Sequence, residues 1–155
     1  MSDVFADVKS SDMAVRRNAE DELVKLIAAD SSIIKTVLEE IRSGDVTSRW
    51  YLARALTKSG RGVIPILISH AETEKDAVVQ KYIGAVLASF KEAAVDSLVG
   101  LFSSENPQAR GMAASALERI GQPSLDALLK AAQSENPTVR ICAGLVLQKG
   151  GIYDY

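Results

Sequence analysis

The sequence predicts an all-α fold, a stack of helical hairpins forming an α-solenoid. Three observations predict it. Segments in common register recur along the chain, each carries apolar residues at helical spacing, and each starts on an Asp or Asn suited to capping a helix.

The segments start at Asp12, Asp45, Asp76, Asn106 and Asn136, with successive spacings of 33, 31, 30 and 30 residues. Four residues on come Arg16, Arg49, Gln80, Arg110 and Arg140, and eleven residues on a leucine in every copy: Leu23, Leu56, Leu87, Leu117 and Leu147. Pro107 and Pro137 take the first helical position, where a missing N–H is harmless. Gly60, Gly121 and Gly150 fall just past the helix ends, where a left-handed residue closes the last turn.

A second set of helices precedes these. Its apolar positions align as Val4, Val37, Ile68, Leu98 and Leu128, with Phe5, Leu38, Val99 and Leu129 beside them. The third copy departs, placing Ser69 where the others carry a large apolar residue, and its segment Ala71 to Asp76 holds an extra loop residue. The unit is a hairpin of about 31 residues that cannot bury its apolar stripe alone, so neighbours stack and share a core. Small residues at Ala53, Gly84, Ala114 and Gly144 permit close helix approach. One domain is expected over residues 1–155, with repeats at approximately 1–29, 30–60, 61–91, 92–121 and 122–155.

Composition agrees with a globular chain. The 155 residues are 47% hydrophobic, 25% charged and 5% aromatic, with net charge −2. A disordered tail, a collagen-like fibre and a disulfide-stapled mini-protein are excluded. Cys142 and His70 are each the sole residue of their type, so a His/Cys metal site is not expected, nor any cofactor. Asp3 and Asp7 with no apolar run argue against a secretory leader. No stretch reaches the roughly 18 apolar residues of a membrane span. The expected setting is the cytoplasm, where a lone thiol is safe.

The pattern N-P-x-x-R-x-x-A-x-x-A-L followed by I-G, clearest from Asn106 to Gly121, resembles HEAT-like repeats of the phycobilisome-lyase type. The resemblance spans essentially the whole chain and implies a right-handed, armadillo-type α-α superhelix. It further implies that the Asp/Asn and Arg positions form a polar ladder between consecutive hairpins, which Gln80 breaks in the middle repeat. Function is implied only broadly, because such repeats serve in lyases, adaptors, scaffolds and enzyme accessory domains.

HEAT-like solenoids set their second helices on the concave side. Of twenty positions expected there, seven are basic and two acidic. First-helix positions carry Asp3, Asp7, Glu39, Glu40 and Glu74 against Lys130. The near-neutral chain is thus expected to be dipolar, with a basic concave face suited to an acidic partner. The partner-binding candidates are Trp50, Arg54, Lys58, Lys81, Tyr82 and Arg119. Trp, Tyr and Arg combine large contact area with a polar tip, which makes them frequent interface anchors. Tyr51 and Tyr82 could instead fill seams between repeats. Ile141 and Leu145 make the outer face of the last helix apolar, so the C-terminal repeat is a candidate self-association surface unless the tail from Gly150 to Tyr155 caps it.

Ser59-Gly60-Arg61-Gly62 superficially resembles a phosphate cradle but lacks the preceding strand and the lysine. Deoxyhypusine hydroxylase resembles this architecture and binds iron through repeated His-Glu pairs, which this chain lacks. DNA glycosylases of this repeat type use an aromatic, basic groove with a carboxylate, which Trp50, Tyr51, Arg54, Lys58 and Asp21 imitate in part. The reading that fits best is a non-enzymatic protein-interaction module, an adaptor or scaffold docking a protein partner on its concave face. The alternatives are an accessory subunit of a bilin-lyase-like enzyme and a nucleic-acid-binding module, the latter disfavoured by the net charge.

Overall fold

The computed structural model describes residues 3–149. Among these residues it contains ten α-helices and no strand. The helices are α1 Val4–Asp7, α2 Met13–Ala29, α3 Ile33–Ser43, α4 Val46–Lys58, α5 Val63–Ala71, α6 Ala77–Ser89, α7 Glu92–Gly100, α8 Pro107–Ile120, α9 Leu125–Ala131 and α10 Pro137–Lys149. The chain divides into two compact units, Met1–Val63 and Ile64–Tyr155. In the first, α2 packs along α4, with α1 against α2 and α3 against α4. In the second, α6, α8 and α10 lie side by side, while α7 packs on α8 and α9, and α9 on α10.

The loops that lead into the second helices share one plan, which the capping box of Asp45 and Ser48 varies before α4. The Asp12, Asp76, Asn106 and Asn136 side chains each accept a hydrogen bond from the backbone N–H two residues on, and Asp45 accepts from the Ser48 N–H at 2.8 Å. The backbone N–H and then the hydroxyl of Ser48 hold the Asp45 carboxyl below the ordinary carboxylate range. Two residues before the cap, Ser10, Glu74, Ser104 and Ser134 accept from the cap residue's own N–H. The long side chain four residues past the cap then turns back to a carbonyl of the loop or of the last turn of the first helix. Arg16 donates to Ser10 O at 2.7 Å, Arg49 to Ile41 O at 2.8 Å, Arg110 to Ser104 O at 2.7 Å and Arg140 to Ser134 O at 2.9 Å.

Gln80 does the same work, its amide donating to Ala71 O at 2.8 Å and Glu74 O at 3.0 Å. The Arg bonds therefore close each hairpin on itself, which corrects the expected role of these arginines as rungs between hairpins. The junction that Gln80 was expected to weaken carries the clearest rung. Asn106 donates across to Ala71 O at 3.1 Å and Glu74 O at 2.8 Å, the carbonyls that Gln80 also uses. Asn106 is itself 3% exposed, so these are water-excluded bonds.

The five register leucines Leu23, Leu56, Leu87, Leu117 and Leu147 are all fully buried. In the first helices the third copy is in register at Leu67, which is fully buried, with Ile68 half-buried beside it and Ser69 exposed. The alignment on Ile68 slips by one residue. Once it is shifted, Leu67-Ile68 matches Val37-Leu38, Leu98-Val99 and Leu128-Leu129, and the departure at Ser69 disappears. The cause is the extra residue in the loop after Ala71. Glu74 lies in that loop and not on a first helix. At Gly84 an added Cβ would come within 3.0 Å of the Met112 side chain, so α6 and α8 approach closely there, whereas one at Gly144 would meet nothing within 4 Å.

Gly60 and Gly121 have φ of 88° and 74°, as their positions require; Gly150 lies outside the described residues. The same turn in the third repeat is made by Lys91, at φ 53° and ψ −124°, close to the 74° and −131° of Gly121. A side chain in that region crowds its own backbone at a cost of about 1–3 kcal/mol.

Lys91→Gly is expected to raise the unfolding free energy by about 1 kcal/mol, and Gly121→Ala to lower it by a similar amount, both read from urea denaturation midpoints. Asn106→Ala is expected to cost about 2 kcal/mol, against about 1 for Asn136→Ala, because only the former loses a cap and two buried bonds together. Equal losses would show that the Asn106 rung adds nothing.

Candidate functional site

The candidate residues fall into two clusters, one in each unit. In the first unit, Trp50, Arg54 and Lys58 lie along α4 at helical spacing. Trp50 is 50% exposed. Its ring meets that of buried Tyr51 edge to face, with centroids 4.9 Å apart, and the Arg54 guanidinium lies over it at 4.5 Å from the centroid. Arg16 sits over Tyr51 at 5.3 Å, so Tyr51 belongs to the packed seam while Trp50 faces solvent.

Beneath this cluster is a group that the sequence reading missed. Glu20, on α2, is 1% exposed. Lys58 Nζ donates to its Oε2 at 2.8 Å, Arg54 Nε forms an ion pair with Oε1 at 3.0 Å without hydrogen-bond alignment, and Lys58 also lies 3.8 Å from Asp21. A carboxylate out of water is stable only when such partners meet it. Arg54 and Lys58 are therefore engaged within the protein, and the two acids neutralise them. This patch presents an aromatic surface braced by a guanidinium. It is not a pair of unclaimed cations. The signal was present in the register: Glu20 stands at the position filled by Ala53, Gly84, Ala114 and Gly144 in the other copies.

In the second unit, α6 and α8 bound a trough of about 740 Å³. Its floor is made of small or buried residues, Gly84, Ala85, Gly111, Met112 and Ala116, and its edges carry Lys81, Arg119 and Glu118. A second depression of about 440 Å³ lies between α8 and α10 and reaches Leu145 and Lys149. The two share Gly111, Ser115 and Glu118, so α8 forms a low saddle between them. An added Cβ at Gly111 would meet nothing within 4 Å, which leaves the saddle open from above. Lys81 and Arg119 were anticipated here, whereas half-buried Tyr82 does not line the trough. Ile141 and Leu145 are each 59% exposed on α10. The tail proposed to cover them lies outside the described residues.

Among the described residues no group of His, Cys, Asp and Glu could hold a metal ion, and no helix is long and apolar enough to cross a membrane. Cys142 is half-buried, and burial pushes its thiol up, with Arg110 opposing more weakly. A raised thiol is a poor nucleophile.

Glu20→Gln is expected to lower the unfolding free energy by about 1–2 kcal/mol and to change the emission of Trp50, as Arg54 is released from its ring. An unchanged emission would show that Arg54 holds its place without Glu20.

No curated protein matches the chain in sequence. The family of HEAT repeats matches residues 64–148, more than half of the chain and nearly all of the described part of the second unit. That match takes in the repeated caps, the hairpin-closing side chains of α6, α8 and α10, and the trough between them. The chain belongs to the HEAT repeat family.

Proposed function

We propose that this chain is a non-enzymatic protein-interaction module, an adaptor or scaffold that docks a partner on the faces of its second helices. The observation that carries this reading is the trough over α6, α8 and α10. It is a concave surface floored by small residues, with apolar Met112 and Leu145, and with Gln108, Ser115 and the charged rim to fix orientation. Interfaces combine an apolar centre with a polar rim in this way. HEAT repeats commonly serve as protein-interaction modules, which supports the same conclusion. The binding mechanism is preorganisation: helices locked by caps and hairpin-closing bonds present the trough without an ordering cost on this side. In the first unit, Trp50 is a second contact point of the kind that dominates interface energetics.

Gly111→Leu provides the direct test. A leucine side chain would fill the saddle from open space and also favour the helix by up to about 1 kcal/mol, so the fold is expected to be retained or strengthened. Nuclease-treated pull-downs with the full chain are expected to retain a discrete protein that is lost with Gly111→Leu. Retention that vanishes with nuclease, or a partner indifferent to the substitution, would overturn the reading.

A further inference from the structure

We infer that the α6–α8–α10 trough takes an acidic amphipathic peptide segment. Its apolar side chain would settle on the Gly111–Ser115 saddle, with carboxylates on either side reaching Lys81 and Arg119. The inference rests on the docking function proposed above and adds the chemistry of the partner.

Charge complementarity carries it. The two depressions are lined by Lys81, Arg119 and Lys149 and by one acid, Glu118. Glu118 lies 4.0 Å from Lys149, so one cation of the three is answered within the protein. Lys81 and Arg119 are both exposed and have no ion-pair partner among the described residues. This is the opposite of the first unit, where Glu20 and Asp21 answer Arg54 and Lys58. Among the described residues, the unanswered cations of the second-helix faces thus include two at the edge of a preformed apolar hollow, where a partner's carboxylates would meet them.

The floor selects the shape of the partner. Gly84, Ala85, Gly111 and Ala116 have little or no side chain, so the hollow admits a protruding aliphatic or aromatic group and brings the partner backbone close to α8. Leu145, 59% exposed, extends the apolar strip toward α10. A nucleic acid suits this surface less well. None of the lining residues is aromatic, so bases have no stacking platform, and two unanswered cations are few for a phosphate backbone.

The test uses the full chain as bait for a displayed library of random twelve-residue peptides, followed by fluorescence anisotropy on the enriched sequences. Enriched peptides are expected to carry two or more Asp or Glu flanking a large apolar residue. Lys81→Glu with Arg119→Glu is expected to weaken them about tenfold, more at low salt than at high salt. Gly111→Leu should abolish binding. Enrichment of uncharged or basic peptides that Gly111→Leu still blocks would overturn the acidic partner while leaving the docking reading intact. Binders indifferent to Gly111→Leu, or no enrichment, would overturn both. A single-stranded oligonucleotide titrated in parallel should not bind; binding that the double charge reversal removes would replace the peptide with nucleic acid.

Discussion

Backbone carbonyls where one helix gives way to the next need partners from outside the helix ladder, and in this chain a side chain of the second helix supplies one in every hairpin. The donor sits four residues past the cap of the second helix, and its bond back to the loop or to the last turn of the first helix closes the hairpin. Chemistry at this position is a matter of reach and donor geometry more than of charge. Gln80 shows this, since a neutral amide serves the two carbonyls that Asn106 also needs, in a place where a guanidinium would have to be stripped of water. The remainder of the architecture follows from that closure: a hairpin held at its loop presents a fixed apolar stripe, and the register leucines can be buried completely.

What was legible in the sequence was whatever recurs with the repeat. The five caps, the five leucines and the all-helical hairpins could be read because each was seen several times in one register. What escaped was whatever occurs once. The extra residue after Ala71 was legible, but the one-residue shift it imposes on the first-helix alignment shows only in the burial of Leu67 over Ile68. Lys91 occupies a turn that glycine makes in its neighbours, and nothing in its local sequence announces a positive φ. Glu20 was the most consequential omission, because a carboxylate at a small-residue position changes the meaning of two cations a helix away.

The two units illustrate opposite uses of the same register position. Where the residue is Gly84, α6 and α8 close on one another and leave a low floor, so the rim charges of that unit have nothing beneath them to bond. Where it is Glu20, the space holds a carboxylate that draws Arg54 and Lys58 inward and leaves Trp50 as the outward feature. Composition of the exposed face alone cannot separate these cases. The residue below the face decides whether a surface cation is available.

Asn106 occupies two places at once, capping α8 and bonding the backbone that leads into α6. In mechanical terms it is a pin through one end of the trough. The Ala77 and Gln108 end of the trough is thereby fixed in width by hydrogen bonds, while further along the Gly84–Met112 approach sets the spacing by packing alone.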